Sequence, residues 1–433
     1  MDGQLKSGTL LTGESGNQYK VIELLGAGGQ GEVYDVECAG KHYALKWYFK
    51  GSATKKQKKT LETIIAKGSP DKSFLWPMEL IVPAQGDLFG YVMALRPKNY
   101  KSIVDLMKKK ANPSFLALCR TAFNLTKGYQ KLHSMGAKYQ DISFGNLFFD
   151  PENGDVLICD NDNVSFDQNP GGVLGTPGFM APEIVRGEAK PSRNTDLYSL
   201  SVLLFYLFMV NHPLDGKKEA DIRCMDMAAR VRLYGTDPIF IFDPDNTSNR
   251  PVKGYHDNAL IYWPIYPEKL RKMFTKAFTV GLREPNKRIT EPEWMNLFAN
   301  MMSGTVQCQQ CGARIFYDEE KEKLGAAHTC WNCQDTVPMP VKLVIGNQTI
   351  LLSAGAKLKS HHIYNDYDMD KVVGEVVQNP NNPNLWGIRN EDAVNWTYEK
   401  ADGTQIPVEV GRTAGIAVGV KLRFKDSVGE FKA

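Results

Sequence analysis

The stretch Tyr139-Gln140-Asp141-Ile142-Ser143-Phe144-Gly145-Asn146 decides the reading of this chain. Its spacing is D-x-x-x-x-N, and an apolar run, Leu157-Ile158-Cys159, follows and ends in Asp160. One Asp in such a set can orient a hydroxyl and accept its proton, while Asn and a second Asp supply hard oxygen ligands for Mg²⁺. Asp and Asn also favour turns, so the stretch alone admits a purely structural reading. Toward the N-terminus lies Leu25-Gly26-Ala27-Gly28-Gly29-Gln30-Gly31-Glu32-Val33, a G-x-G-x-x-G followed by Val between two strand-like runs. Glycines there let backbone N–H groups approach a polyphosphate. A dinucleotide site would need a helix starting at Gly31, but the chain continues as a strand, Glu32–Glu37, which disfavours that reading. Next comes Tyr43-Ala44-Leu45-Lys46, a lysine ending an apolar strand. Facing inward it would be costly without an anion, for which nucleotide phosphates and Glu62 are the candidates; a plain strand-end lysine is the alternative.

Around these motifs the chain changes character twice. Strand-like runs at Tyr19–Leu25, Glu32–Glu37, His42–Phe49, Pro77–Val82 and Gly90–Ala94 surround a single helix, expected from the spacing of Leu61, Ile64 and Ile65. Residues 1–17 lack periodicity and read as a loose arm. From about Pro97 to Met302 helices dominate: Phe115–His133 has an apolar face, Leu197–Val210 is apolar nearly all round, and Leu270–Thr279 and Glu293–Met302 follow. Tyr234–Pro267, rich in Pro, Asp and Asn, reads as a long irregular surface connection. A cysteine unit then leads to short β-rich runs beyond Pro340, a pattern expected of a sandwich or barrel.

Composition bounds what this can be. At 433 residues the length suggests about three domains. Lys plus Arg number 52 and Asp plus Glu 49, a net charge of +3 that argues for no nucleic-acid partner. An apolar fraction of 42% excludes whole-chain disorder. Met1–Lys20 shows no secretory h-region and Leu197–Val210 is short for a membrane span, so a cytoplasmic protein without a membrane partner is expected.

Further motifs make the chain resemble a eukaryotic-type protein kinase. Gly175-Thr176-Pro177-Gly178-Phe179-Met180-Ala181-Pro182-Glu183 matches that family's G-T-x-x-Y-M-A-P-E almost fully. Asp196-Leu197-Tyr198-Ser199-Leu200 resembles its central lobe helix, and Pro285-Asn286-Lys287-Arg288 the segment whose arginine pairs with the Ala-Pro-Glu glutamate, here Glu183. The resemblance implies a Ser/Thr protein kinase using ATP and Mg²⁺ or Mn²⁺, with autophosphorylation among its reactions. It implies that Gly26, Gly28 and Gly31 cover the phosphates and that Val33, Ala44, Met93, Ala94 and Leu95 surround the adenine. Lys46 would hold the α/β-phosphates and pair with Glu62, Asp141 would be the catalytic base, and Asn146 and Asp160 would bind the metal. The chain departs from the pattern at three places. Tyr139-Gln140 replaces His-Arg, Asp160-Asn161-Asp162 replaces Asp-Phe-Gly, and Ser143 stands where a phosphate-contacting lysine is usual. Without that arginine, activity is expected not to depend on loop phosphorylation. The alternative class is a pseudokinase scaffold acting through protein contacts.

Of eight cysteines, four are scattered and four cluster as Cys308-x₂-Cys311-x₁₈-Cys330-x₂-Cys333. That spacing predicts a structural four-thiolate zinc ribbon, with two disulfides or a redox pair as alternatives, and leaves His328 a bystander. The segments Leu385–Asn390 and Val420–Phe424 resemble a forkhead-associated domain; a β-sandwich used for protein contact without phosphate recognition is the alternative. Adjacent His361 and His362, read as one strand, would point opposite ways. The whole arrangement is similar to bacterial kinases with a zinc ribbon and forkhead-associated-like tail, some encoded with a phosphatase and a von Willebrand A protein in tellurite or stress response. It implies those partners besides protein substrates. The expected architecture is α+β: an arm (1–17), the small lobe (18–96) and large lobe (97–303) of a bilobal protein-kinase fold, the zinc ribbon (304–339) and an all-β sandwich (340–433).

Overall fold

The computed structural model describes residues 3–83, 87–166, 173–364 and 366–433. They group into two compact units, 1–263 with 272–295, and 264–271 with 296–433.

The first unit opens with an antiparallel sheet. Its strands are β1 (Leu10–Thr12), β2 (Gln18–Ala27), β3 (Gly31–Cys38), β4 (Lys41–Tyr48), β5 (Glu79–Ile81) and β6 (Gly90–Ala94), in the order β1-β2-β3-β4-β6-β5. Because strand residues alternate sides, the sheet splits its apolar residues into two clusters. Val21, Tyr34, Val36, Leu45, Trp47 and Val92 fill one; Ala44, Tyr48, Leu80, Tyr91 and Met93 fill the other, with Leu61 of helix α1 (Lys55–Lys67). Thr54 caps α1 by accepting from Gln57 N. The arm expected over residues 1–17 is corrected: Leu10–Thr12 pairs with Gln18–Lys20 as an edge strand, and Glu79 holds its turn by accepting from Ser15 N and Asn17. Residues 1 and 2 of that segment lie outside the described residues.

Helices then take over. A two-residue strand β7 (Lys101–Ser102) leads into the short α2 (Ile103–Met107), followed by α3 (Phe115–Ser134). Strands β8 (Leu147–Phe149) and β9 (Val156–Ile158) form a small sheet with β7. After α4 (Pro182–Val185), α5 (Arg193–Met209) is buried from Thr195 to Phe205 and again from Leu207, in keeping with its all-round apolar sequence. The connection expected to be irregular and superficial is corrected. Phe240 and Ile241 are fully buried, and Phe240 packs edge-on against Phe205 of α5 at 5.7 Å. Its proline-rich sequence had masked the few aromatic residues that anchor it.

The second unit holds the four clustered cysteines and the β-rich tail. Strands β10 (Thr305–Gln307) and β11 (Arg314–Phe316) form a hairpin. Beyond it two sheets stack. One has the order β13-β12-β21-β20-β17-β18 and the other β14-β15-β16-β19. The first comprises β12 (Lys342–Ile345), β13 (Gln348–Leu351), β17 (Trp396–Glu399), β18 (Gln405–Val408), β20 (Lys421–Arg423) and β21 (Val428–Lys432). The second comprises β14 (Lys357–Lys359), β15 (Val372–Asn379), β16 (Asn382–Asn390) and β19 (Thr413–Gly415). Both sheets contribute to one core, with Leu343, Trp396, Leu422 and Phe431 from the first and Leu358, Val373, Val376 and Ile388 from the second. His361 and His362 are not in a strand: they lie in the helical turn Ser360–Tyr364 with rings 3.9 Å apart. Both nitrogens of His362 are engaged, Nδ1 accepting from Lys359 N and Nε2 bonded to Ser303 Oγ.

Candidate active site

Strand β4 supplies the first side chain of the site. Ala44, Lys46 and Tyr48 share one face of the strand, opposite Leu45 and Trp47, so Lys46 is delivered beneath the sheet toward the turn that follows β9. Its ammonium donates to Asp160 Oδ1 at 2.5 Å, Asp162 Oδ2 at 2.8 Å and Gln30 Oε1 at 3.1 Å. Burial alone would lower the Lys46 pKa, but the charges of Asp162 and Asp160 outweigh it and hold the group above its ordinary value. Burial and the adjacent Asp162 carboxylate push Asp160 up to about 6, against the pull of Lys46.

Glu62 is not among the partners of Lys46, which corrects the sequence expectation. Helix α1 turns Leu61 and Ile64 inward, with Gln57 one turn earlier on the same face. Each helical residue is rotated by about 100° from the last. Glu62, adjacent to Leu61, therefore faces solvent, its side chain 50% exposed and 3.9 Å from Lys58. Sequence reasoning missed Gln57; its spacing from Leu61 and Ile64, i, i+4 and i+7, is the signal that marks it.

Of the residues expected around a nucleotide, strand register brings Val33, Ala44 and Met93 onto the Lys46 face of the sheet, with Leu95 packed against the same cluster, whereas Ala94 turns its side chain to the other face. Val33 pairs with Lys46, Ala44 with Met93, and Gly26 with Val33, while Ala94 pairs with Tyr43 and Leu95 follows, partly buried. Gly28 N donates to Gly31 O and closes the glycine turn. A Cβ at Gly26 or Gly28 would meet nothing within 4 Å, leaving space above the turn. At Gly31 a Cβ would stand 2.2 Å from Trp47 O, so this glycine answers to strand packing instead.

The stretch around Asp141 is pinned from below. Asp196 of α5 accepts from Tyr139 N at 2.7 Å and from Gln140 N at 3.1 Å. Asp141 Oδ1 accepts from Thr176 Oγ1 at 2.6 Å, and Asn146 Nδ2 donates to Asp141 O at 2.9 Å and to Asp141 Oδ2 at 3.4 Å. Cys159 N donates to Asn146 O at 2.9 Å, which sets Asn146 beside the segment leading into Asp160. With its amide nitrogen spent on Asp141, Asn146 is left to offer its amide oxygen. Together with the Asp160 carboxylate, that is an all-oxygen donor set suited to Mg²⁺. Arg288 reaches Glu183 with both terminal nitrogens, at 2.7 and 2.8 Å, and Ser143 is buried with its carbonyl accepting from Asn146 N.

In the second unit Cys308, Cys311, Cys330 and Cys333 place their sulfurs within 4.8 Å of one another. Gly312 and Gln334, both at positive φ, close the two knuckles by donating to Cys308 O and Cys330 O. Four convergent thiols, with no further His, Asp or Glu grouped with them among the described residues, suit a tetrahedral soft ion such as Zn²⁺. His328 stands apart from them, its Nε2 accepting from Asp318 N.

Residues 19–297 match the protein kinase domain family. The chain is 28% identical over 207 residues to a probable serine/threonine-protein kinase of Zea mays, covering 46% of this chain and 32% of that protein. It is 27% identical over 220 residues to beta-adrenergic receptor kinase 1 of Homo sapiens, covering 47% of this chain and 30% of that protein. A protein kinase C delta type homolog of Drosophila melanogaster is 33% identical over 102 residues, 23% of this chain and 15% of that protein. The chain thus spans a third or less of the length of these curated relatives.

Proposed function

Because the chain belongs to the protein kinase family, we propose that it transfers the γ-phosphate of ATP to Ser or Thr hydroxyls of proteins in a Mg²⁺-dependent reaction. The observation that carries this reading is the pairing of Lys46 with Asp160 at 2.5 Å and of Asn146 with Asp141 at 2.9 and 3.4 Å, the two pairs tied through the hydrogen bond from Cys159 N to Asn146 O. Asp141 orients the incoming hydroxyl and takes its proton as the alcohol oxygen bonds to the γ-phosphorus and the bond to the bridging oxygen of ADP breaks. The Thr176 hydroxyl steadies that carboxylate. Lys46 holds the α/β-phosphates under Gly26 and Gly28, and Val33, Ala44, Met93 and Leu95, with the backbone of Ala94, surround the adenine. Asn146 and Asp160 would hold Mg²⁺, which when bound neutralises charge on the phosphates. Cys308, Cys311, Cys330 and Cys333 hold a structural zinc, and the ribbon and β-sandwich recruit partners, with a phosphatase and a von Willebrand A protein as the expected ones.

Labelled ATP, Mg²⁺ and a generic protein substrate test the reading. The wild-type chain is expected to label substrate or itself, and Asp141→Ala to lose about a hundredfold or more in rate, as for loss of a general base. Asp160→Ala is expected to lower turnover more than nucleotide affinity. Wild-type protein that binds ATP without transferring phosphate would establish the pseudokinase scaffold instead.

A further inference from the structure

Lys46 is nearly enclosed, its side chain 9% exposed, so its charge must be met by a neighbour held at fixed distance. Among the described residues two carboxylates reach it. Asp160 is one-third exposed and, in the proposed reading, shared with the metal. Asp162 is fully buried and committed: the same Oδ2 that takes Lys46 at 2.8 Å accepts from the Tyr48 hydroxyl. The turn that presents it is itself fastened. Asp160 adopts a left-handed backbone at φ 56, and buried Asn161 donates to Leu75 O and Ile158 O, each at 2.9 Å. Helix α1 joins through a neutral group, Gln57 Nε2, which donates to Asp162 O at 2.9 Å and to Tyr48 Oη at 3.2 Å.

We infer that Asp162, not an acid of helix α1, is the positioning residue for Lys46, and that α1 meets the Asp162 turn through the neutral amide of Gln57. The inference rests on the kinase reading and deepens it. The lysine is aligned by the same turn that carries Asp160, so its posture does not depend on a carboxylate brought in by movement of α1.

Two kinds of measurement test this. In urea-unfolding double-mutant cycles, Lys46→Met with Asp162→Asn is expected to be non-additive by about tenfold or more in the unfolding constant, and Lys46→Met with Glu62→Gln to be additive within about twofold. In turnover, Asp162→Asn is expected to lower kcat about tenfold with KM for ATP within about threefold, and Glu62→Gln to match the wild type. Adding Gln57→Glu to Asp162→Gly, which returns a carboxylate from the helix, is expected to restore part of the kcat lost in Asp162→Gly alone. Should Asp162→Asn fail to fold, Tyr48→Phe, which removes the hydroxyl that donates to the carboxylate and accepts from Gln57, is expected to lower kcat at unchanged KM. Additivity of Lys46 with Asp162, a Glu62→Gln loss as large as that of Asp162→Asn, or full turnover in Tyr48→Phe overturns the inference. A wild-type chain that transfers no phosphate refutes the kinase reading, while the unfolding cycles still decide which acid holds Lys46.

Discussion

Gly31 lies opposite Tyr48 in the β3–β4 ladder, and the Trp47 carbonyl oxygen occupies the place its Cβ would need. Gly31→Ala is therefore expected to cost about 1–3 kcal/mol, the usual range for forcing an atom into packed space, read as a lower midpoint in chemical denaturation. Gly26→Ala, with open space around it, is expected to leave that midpoint nearly unchanged. The three glycines look alike in sequence because one motif serves both a phosphate loop and a close strand approach. Arg288 and Glu183 were legible as a pair, and the structure joins them by two parallel hydrogen bonds with the Arg288 side chain 2% exposed. Arg288→Met leaves the Glu183 carboxylate without its partner, and a loss of about 3–5 kcal/mol is expected in the same measurement. Glu62 was misread for an equally local reason. The sequence holds one acid on α1, and only the inward turn of Leu61 and Ile64 shows that it faces water.

At the scale of elements, buried His133 joins α3 to two other helices. It meets Asp196 near the start of α5 at 3.1 Å and Glu291, which opens the helix Glu291–Ser303, at 2.5 Å; Arg193 also reaches Glu291 at 2.5 Å. Burial would lower the His133 pKa, but the hydrogen bonds and charges of Asp196 and Glu291 raise it to about 9. Burial would raise Glu291, but His133 and Arg193 hold it down at about 2. The stability from His133 is thus fully present below its ordinary value of 6.5 and is lost as pH rises through about 9. That from Glu291 is present above its ordinary value of 4.5 and is lost as pH falls through about 2. Thermal unfolding followed against pH is expected to show the alkaline decline in the wild type and a weaker one in His133→Gln. Because Asp196 also holds the backbone ahead of Asp141, this node links helix packing to the site. Gln140, which replaces the expected arginine, spends its amide on Asn163 O at 2.6 Å, a neutral tie that needs no phosphate. Phosphatase-treated protein is accordingly expected to keep its phosphotransfer rate; residues 167–172 of that loop lie outside the described residues. The long connection 234–267 was illegible as core because a few buried aromatics among many turn residues carry no period.

At the scale of the whole molecule, the cysteine cluster makes the clearest demand. Purified protein is expected to contain zinc, and chelation to make Cys308, Cys311, Cys330 and Cys333 reactive toward thiol reagents. Metal analysis finding no zinc with those four thiols already reactive would reject the site. The sequence alone determined the order of the parts: a glycine-rich sheet, a helical region, a paired-cysteine ribbon and a run of short strands. It also determined the residues expected to bear the chemistry, because motifs are fixed by spacing along the chain and strand and helix faces by periods of two and 3.6. What tertiary structure decided is which groups meet across distant segments. Asp162 and Tyr48 are far apart in sequence, as are His133 and Glu291, and nothing local sets their approach. Such pairings arise only when separate faces are buried together, since a charge enclosed by packing takes the counter-charge that the fold places beside it, whichever motif supplied it.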